Sequence, residues 1–140
     1  ISFQYPENWE LDEGDTRQRN RSVTVYSPGA AFWSVSAHPR GTDPAKLGRA
    51  VVKAMREEYE EMECEEVQET VAGRKLVGYD LNFFFLDLTN TARVRSLRTE
   101  LATYTIFCQA EDRELIQVGP VFLAMTISLL NSLKESTHSG

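Results

Sequence analysis

Nucleophiles, bases and metal ligands are scarce in this chain, and the few present are badly placed to cooperate. His38 and His138 are the only histidines. His138 lies in the closing residues, so a Ser/His/Asp or Cys/His unit would rest on His38 alone. His38 precedes Pro39 at a strand end, where a solvent-facing cap or a partly buried polar residue is a plainer reading than a catalytic base. Cys64 and Cys108 lack the CxxC or Cys/His spacing of a zinc site and are too few for a disulfide framework. Read as free thiols, they favour a cytoplasmic protein. Gly29, Gly41, Gly48, Gly73 and Gly78 are scattered through turn, helix and strand contexts rather than gathered into a phosphate-cradling loop. The expectation is a protein that is not an enzyme, with no catalytic residue, no cofactor and no metal site.

Charge and exposed aromatics offer more. Arg17, Arg19 and Arg21 alternate, so an extended backbone aims all three to one side, while Arg93, Arg95 and Arg98 share a later strand. Were the two groups to converge, they would frame a pocket for phosphate or carboxylate, which guanidinium groups grip in bidentate fashion. Cross-strand pairing with Glu100 and Glu111, or a solvated face, is the competing reading. Glu57, Glu58, Glu60, Glu61, Glu63, Glu65, Glu66 and Glu69 make the most acidic stretch. Such a run can draw a basic partner or cations, but the glycine and Asp/Asn offsets of a calcium loop are missing, and a solvated face accounts for it. Phe32 and Phe84 each point away from the main apolar face of their strand. They either meet a second helix layer or form an exposed docking patch.

These residues must be carried by one small domain. With 140 residues, 41% hydrophobic and 26% charged, the chain fits a single unit over residues 1–134 with a flexible tail at 135–140. A net charge of −6 argues against nucleic acid and against an anionic membrane surface. The apolar run from Val118 to Leu130 contains Gly119, Pro120, Thr126 and Ser128 and falls short of the roughly 20 residues of a membrane span, so it reads as a core helix without membrane insertion. The first residue is isoleucine rather than methionine, which points to an upstream segment, a signal peptide among the candidates.

Strands are predicted at Ser2 to Tyr5 and Trp9 to Asp12, at Ser22 to Ser27, and at Ala31 to Ala37 with Trp33 and Val35 on one face. Asp43 and Pro44 supply the N-cap and first turn of a helix that should run to about Glu61. Glu66 to Val71 and Arg74 to Leu88 form a hairpin turned at Ala72 and Gly73. Asp87 to Asn90 then leads into Ala92 to Thr99, and Thr103 to Gln109 completes a four-strand meander. A last helix starts at Val118 or Pro120 and ends at Leu133, with Phe122, Met125, Leu129 and Leu133 as its buried stripe. Trp9 and Trp33 fall on the apolar side of their local patterns and are expected in the core, as is most of the set Phe3, Tyr5, Phe83, Phe85 and Phe107. In a simple meander, Cys64 and Cys108 are too far apart to bridge. The fold class is α+β, a central antiparallel sheet flanked by helices.

The Phe-x-Tyr-Pro-x-x-Trp opening at Phe3 to Trp9, the strands Val23 to Pro28 and Phe32 to Ala37, the Asp43-Pro44 helix start, the Gly73-Arg74 turn and the closing Phe122 to Leu133 helix together resemble the PsbP-like superfamily. That group includes the photosystem II extrinsic protein, a Ran-binding nuclear import factor and bacterial DcrB-type domains. The resemblance covers nearly the whole chain and implies an α/β/α sandwich that serves as a binding or assembly protein, without carrying over an active site. The expected function is a noncatalytic module for protein–protein interaction, monomeric or weakly dimeric, with Arg17, Arg19, Arg21, Arg93, Arg95, Arg98, Phe32 and Phe84 as candidate contacts. The alternative is a small-ligand carrier with an apolar cavity between sheet and helix.

Overall fold

Opposite faces of the same strands feed two different helices. The computed structural model describes residues 1–14 and 21–138, the side chains of 134–138 excepted. Strands β1 (Glu10–Asp12), β2 (Arg21–Tyr26) and β3 (Phe32–His38) lead to α1 (Pro44–Glu58). Then follow β4 (Glu63–Val71), β5 (Arg74–Phe85), β6 (Leu88–Arg98), β7 (Thr103–Glu111) and α2 (Asp112–His138). The strands form one antiparallel sheet in the order β1-β2-β3-β7-β6-β5-β4. The meander β4 to β7 stands as expected, and α1 carries the chain from β3 to the far edge.

In β5, Leu76 packs with Trp33, Leu97, Phe122, Met125 and Leu129 under α2, whereas Leu81 and Phe83 pack with Met55 of α1. Residues an odd number apart in a strand point to opposite faces, so the two helices lie on opposite sides of the sheet. The α2 layer holds the larger core, with Trp33 fully buried and Trp9 8% exposed. Trp33 also donates its indole Nε1–H to Thr126 Oγ1 at 3.1 Å, so its polar end is satisfied.

Several boundaries differ from expectation for identifiable reasons. Ser2 to Tyr5 is not a strand. It runs along α2, where Gln4 N donates to Ser128 Oγ, Ser132 Oγ donates to the Ser2 carbonyl, and the Phe3 ring lies 4.8 Å from that of Trp33. Helix α1 ends at Glu58 because Tyr59 leaves the helix to stack on Phe83 with centroids 4.2 Å apart. The β5–β6 turn is only Leu86–Asp87, both at positive φ, so β6 begins at Leu88. Helix α2 starts at Asp112, directly after the sheet, with Asp112 and Glu114 in its first turn, where carboxylates suit the positive end of the helix dipole. Pro120 lies inside it on an exposed face, one turn after exposed Ile116, whose carbonyl loses its intrahelical donor there. The helical backbone continues to His138, into the stretch expected to fray, and residues 139 and 140 lie outside the described residues.

Residues Asp112–Leu133 are long and apolar enough to cross a membrane, with a mean hydropathy of 1.5, so the apolar stretch exceeds the run read from sequence. In the fold its apolar stripe lies on the sheet. The acidic stretch falls partly on β4, an edge strand whose Glu63, Glu65, Glu66 and Glu69 are exposed.

Candidate functional site

Two places break the pattern of a filled core and a polar surface. The first is the tip of the β5–β6 hairpin. Phe84, Phe85, Leu86 and Leu88 are 62%, 48%, 78% and 39% exposed. Leu86 has φ +52° and Asp87 φ +63°, a left-handed pair that hairpins of this length normally fill with Asn-Gly or Asp-Gly. An apolar side chain is therefore both strained and in water at the same position. Beside the tip, Phe84 shares a groove of about 470 Å³ with Glu60, Glu61, Glu63 and Asp112. The tip is an apolar patch, bordered by negative charge on its Phe84 side.

The second is a cleft of about 580 Å³ between α2 and the strands it leaves uncovered. Gly119, Pro120 and Leu123 form one wall; Val67, Leu76 and Ile106 line the floor. Within it, Arg95 is 8% exposed and bonded to four acceptors. Its Nε donates to Glu69 Oε1 at 2.7 Å, Nη2 to Asp80 Oδ1 at 2.7 Å, and Nη1 to the carbonyls of Tyr79 and Val94. Burial pulls the Arg95 pKa down, but the hydrogen bonds and charges of Asp80 and Glu69 outweigh it, so the net shift is upward and the guanidinium stays charged. Gly78 lies directly across from Arg95 in register. A Cβ there would sit 1.8 Å from the Val94 carbonyl oxygen, so only glycine lets β6 approach β5 this closely. Cys108, in the same cleft, is buried, and burial pushes its thiol up to about 12.

The expected arginine surface is thus divided. Arg17 and Arg19 lie outside the described residues, and Arg21 is exposed on β2. Arg95 is not a free contact, because a buried guanidinium persists only with partners and has taken two carboxylates. Arg93 is half-buried at the cleft. Arg98 is exposed at the far end of β6, on the opposite face from Arg93 and Arg95. Phe32 is half-buried, its ring 5.8 Å from that of Phe107 and 6.0 Å from that of Tyr26. Phe84 is exposed. His38 is half-buried within hydrogen-bond distance of Ser36 Oγ, and burial lowers its pKa. No cluster of His, Cys, Asp and Glu able to hold a metal occurs among the described residues.

Sequence reading missed Glu69 and Asp80 as partners of Arg95, and Leu86 and Leu88 as exposed tip residues. Only strand register could have joined Glu69 to Arg95. The run Phe83-Phe84-Phe85-Leu86-Asp87-Leu88 was itself a signal, since a turn rarely holds so many apolar side chains.

No family model and no curated protein sequence matches the chain. Among solved structures, the cyanobacterial PsbP protein CyanoP of Synechocystis sp. PCC 6803 superimposes with a TM-score of 0.58 over 90% of this chain and 83% of its own, at 12% identity. The chain has a PsbP-like fold. LpqN of Mycobacterium tuberculosis, involved in cell envelope biogenesis, is similar over 89% of this chain and 78% of its own, at 12% identity and a TM-score of 0.46. The PsbP-like fold implied by the opening motif and the closing helix is therefore present. The cytoplasmic preference gains nothing from these likenesses. Its premise is also weak, because Cys64 on β4 and Cys108 on β7 have two strands between them and lie on opposite faces, so they cannot bridge each other in any compartment.

Proposed function

We propose that this PsbP-like domain is a noncatalytic module that binds a protein partner through the tip of the β5–β6 hairpin. The observation that carries the reading is the exposure of Phe84, Phe85, Leu86 and Leu88 on a turn whose first residue, Leu86, is also strained. Free folding would favour glycine there, and strained apolar residues in water persist where a contact needs them. Glu60, Glu61, Glu63 and Asp112 beside Phe84 favour a partner surface that is apolar with a basic rim.

Leu86→Gly tests this directly, because it relieves the positive φ and removes the contact together. Its thermal midpoint should hold or rise, while photo-crosslinking from position 84 to the native partner should fall several-fold relative to wild type. Equal crosslinking from the variant, or no crosslink above that from exposed Lys53 on α1, would remove the tip from the binding surface.

The cleft beneath α2 favours a second reading, the small-ligand carrier. Its lining is apolar around the ion-pair network, but it opens to solvent and its buried arginine is already held by two carboxylates. A carrier should bind an apolar fluorescent probe in competition with ligand and lose it on Leu123→Glu, a change that leaves tip contacts untouched.

A further inference from the structure

The end of the sheet opposite the hairpin tip carries cations that form no ion pair among the described residues. Arg40 lies in the turn after β3, Arg74 opens β5 and Arg98 closes β6. The three line an open groove of about 590 Å³ together with Gly41, Thr99 and Glu100. Among the described residues, ion pairs form at Arg95 and Arg113 but not at these three. That is notable in a chain with 21 acidic and 15 basic residues, where carboxylates are in excess. Among the described residues Glu100 is the only carboxylate in the groove lining, and it leaves most of the guanidinium charge uncompensated.

The three arginines hang from turns that are held in place. Thr103 pairs with Arg98 on one side and His38 on the other, and its hydroxyl donates to the Thr42 carbonyl at 2.6 Å, tying the Arg40 turn to β7. Thr99 donates its backbone N–H and its hydroxyl to the Ala102 carbonyl, and its hydroxyl accepts from the N–H of Ala102. Arg74 follows the Ala72–Gly73 turn, whose residues take φ +50° and +76°. Like charges brought together on rigid turns repel one another unless an anion intervenes, and preorganised guanidinium groups bind oxyanions at low entropic cost.

We propose that Arg40, Arg74 and Arg98 form a binding site for a phosphate group. A phosphate monoester carries about −1.5 to −2 charge at pH 7 and three acceptor oxygens, which suits three guanidiniums better than a single carboxylate does. The group is supplied either by a free phosphate compound or by a lipid headgroup. Leu101, 70% exposed on the β6–β7 turn beside the groove, gives the second source an apolar foothold.

The test uses two probes on the full chain. Inorganic phosphate is titrated while the arginine Nε–Hε resonances are followed by NMR, and sedimentation is measured with vesicles of phosphatidylcholine alone or mixed with phosphatidic acid. Shifts at Arg40, Arg74 and Arg98 with phosphate, and no vesicle binding, assign a free phosphate compound. Binding only to the mixed vesicles, reduced by Leu101→Ser, assigns the headgroup. In either case Arg40→Ser and Arg98→Ser should each weaken binding about tenfold without moving the thermal midpoint, and Glu100→Gln should strengthen it. Absence of a response to both probes, or a response indifferent to Arg40→Ser and Arg98→Ser, overturns the site.

Discussion

The two faces of the sheet are built from the same strands and differ in almost everything else. Under α1 lies a small aromatic and sulfur-containing cluster of Met55, Leu81, Phe83 and Ala92, with Tyr59 and Cys64 at its margin. Under α2 lies a core running from Trp9 and Val25 to Leu133, and beside it an open cleft that holds a buried ion-pair network. A helix covers only the strands it crosses. Where the sheet is wider than its helix, the remaining residues must be polar, paired or used, and Arg95 with Glu69 and Asp80 is the paired solution.

Truncations should separate the faces most strongly. Trp33→Ala removes a fully buried ring and its bond to Thr126 and should cost about 3–5 kcal/mol, whereas Met55→Ala at the smaller cluster should cost about 2 kcal/mol. Urea unfolding measures both. Equal costs would mean that the α1 layer contributes as much as the α2 layer and would dissolve the contrast.

The cleft comes next. Arg95→Ala strands two carboxylates and two carbonyls and should destabilise by about 1.5–3 kcal/mol, while Arg93→Ala, two residues along the same face, should stay within about 0.5 kcal/mol. Similar values for the two would show that the ion pairs contribute nothing to folding.

Thiol chemistry reads the faces without mutation. Cys108, buried and with its pKa pushed up to about 12, should resist an aromatic disulfide reagent at pH 8 until the protein unfolds, whereas half-buried Cys64 should react in the native state. Two fast thiols would mean that α2 lifts readily from the sheet.

The smallest effect belongs to His38. Burial lowers its pKa below 6.5, so the native state prefers the neutral ring. Unfolded chains then take up the proton first, and stability present above about pH 6.5 should be lost as pH falls through the folded value. An NMR titration of the His38 ring giving a midpoint above 6.5 would reverse the sign.

How much of this was legible in the sequence varies by interaction range. The hairpin at Ala72–Gly73, the Asp43–Pro44 cap and the meander are local, set by turn chemistry and alternation, and they read directly. The strand assigned to Ser2–Tyr5 failed because its backbone found α2, more than a hundred residues later, and the Phe3 ring found Trp33. Arg93, Arg95 and Arg98 were placed on one strand, as they are in β6, yet nothing local says which face a helix leaves open or which carboxylates arrive beside it. The candidate site was half visible: Phe84 was named from its orientation, while Leu86 and Leu88 were hidden by placing the turn too late.

The unpaired backbone of β4 has one further consequence. A long edge strand invites a neighbour to continue the ladder, and the opposite edge, β1, offers only three residues. Along β4, Glu63, Glu65, Glu66 and Glu69 put ionised carboxylates on both sides of any incoming strand, which repels a second copy bearing the same row. Lateral growth of the sheet from the β4 edge is therefore opposed by charge.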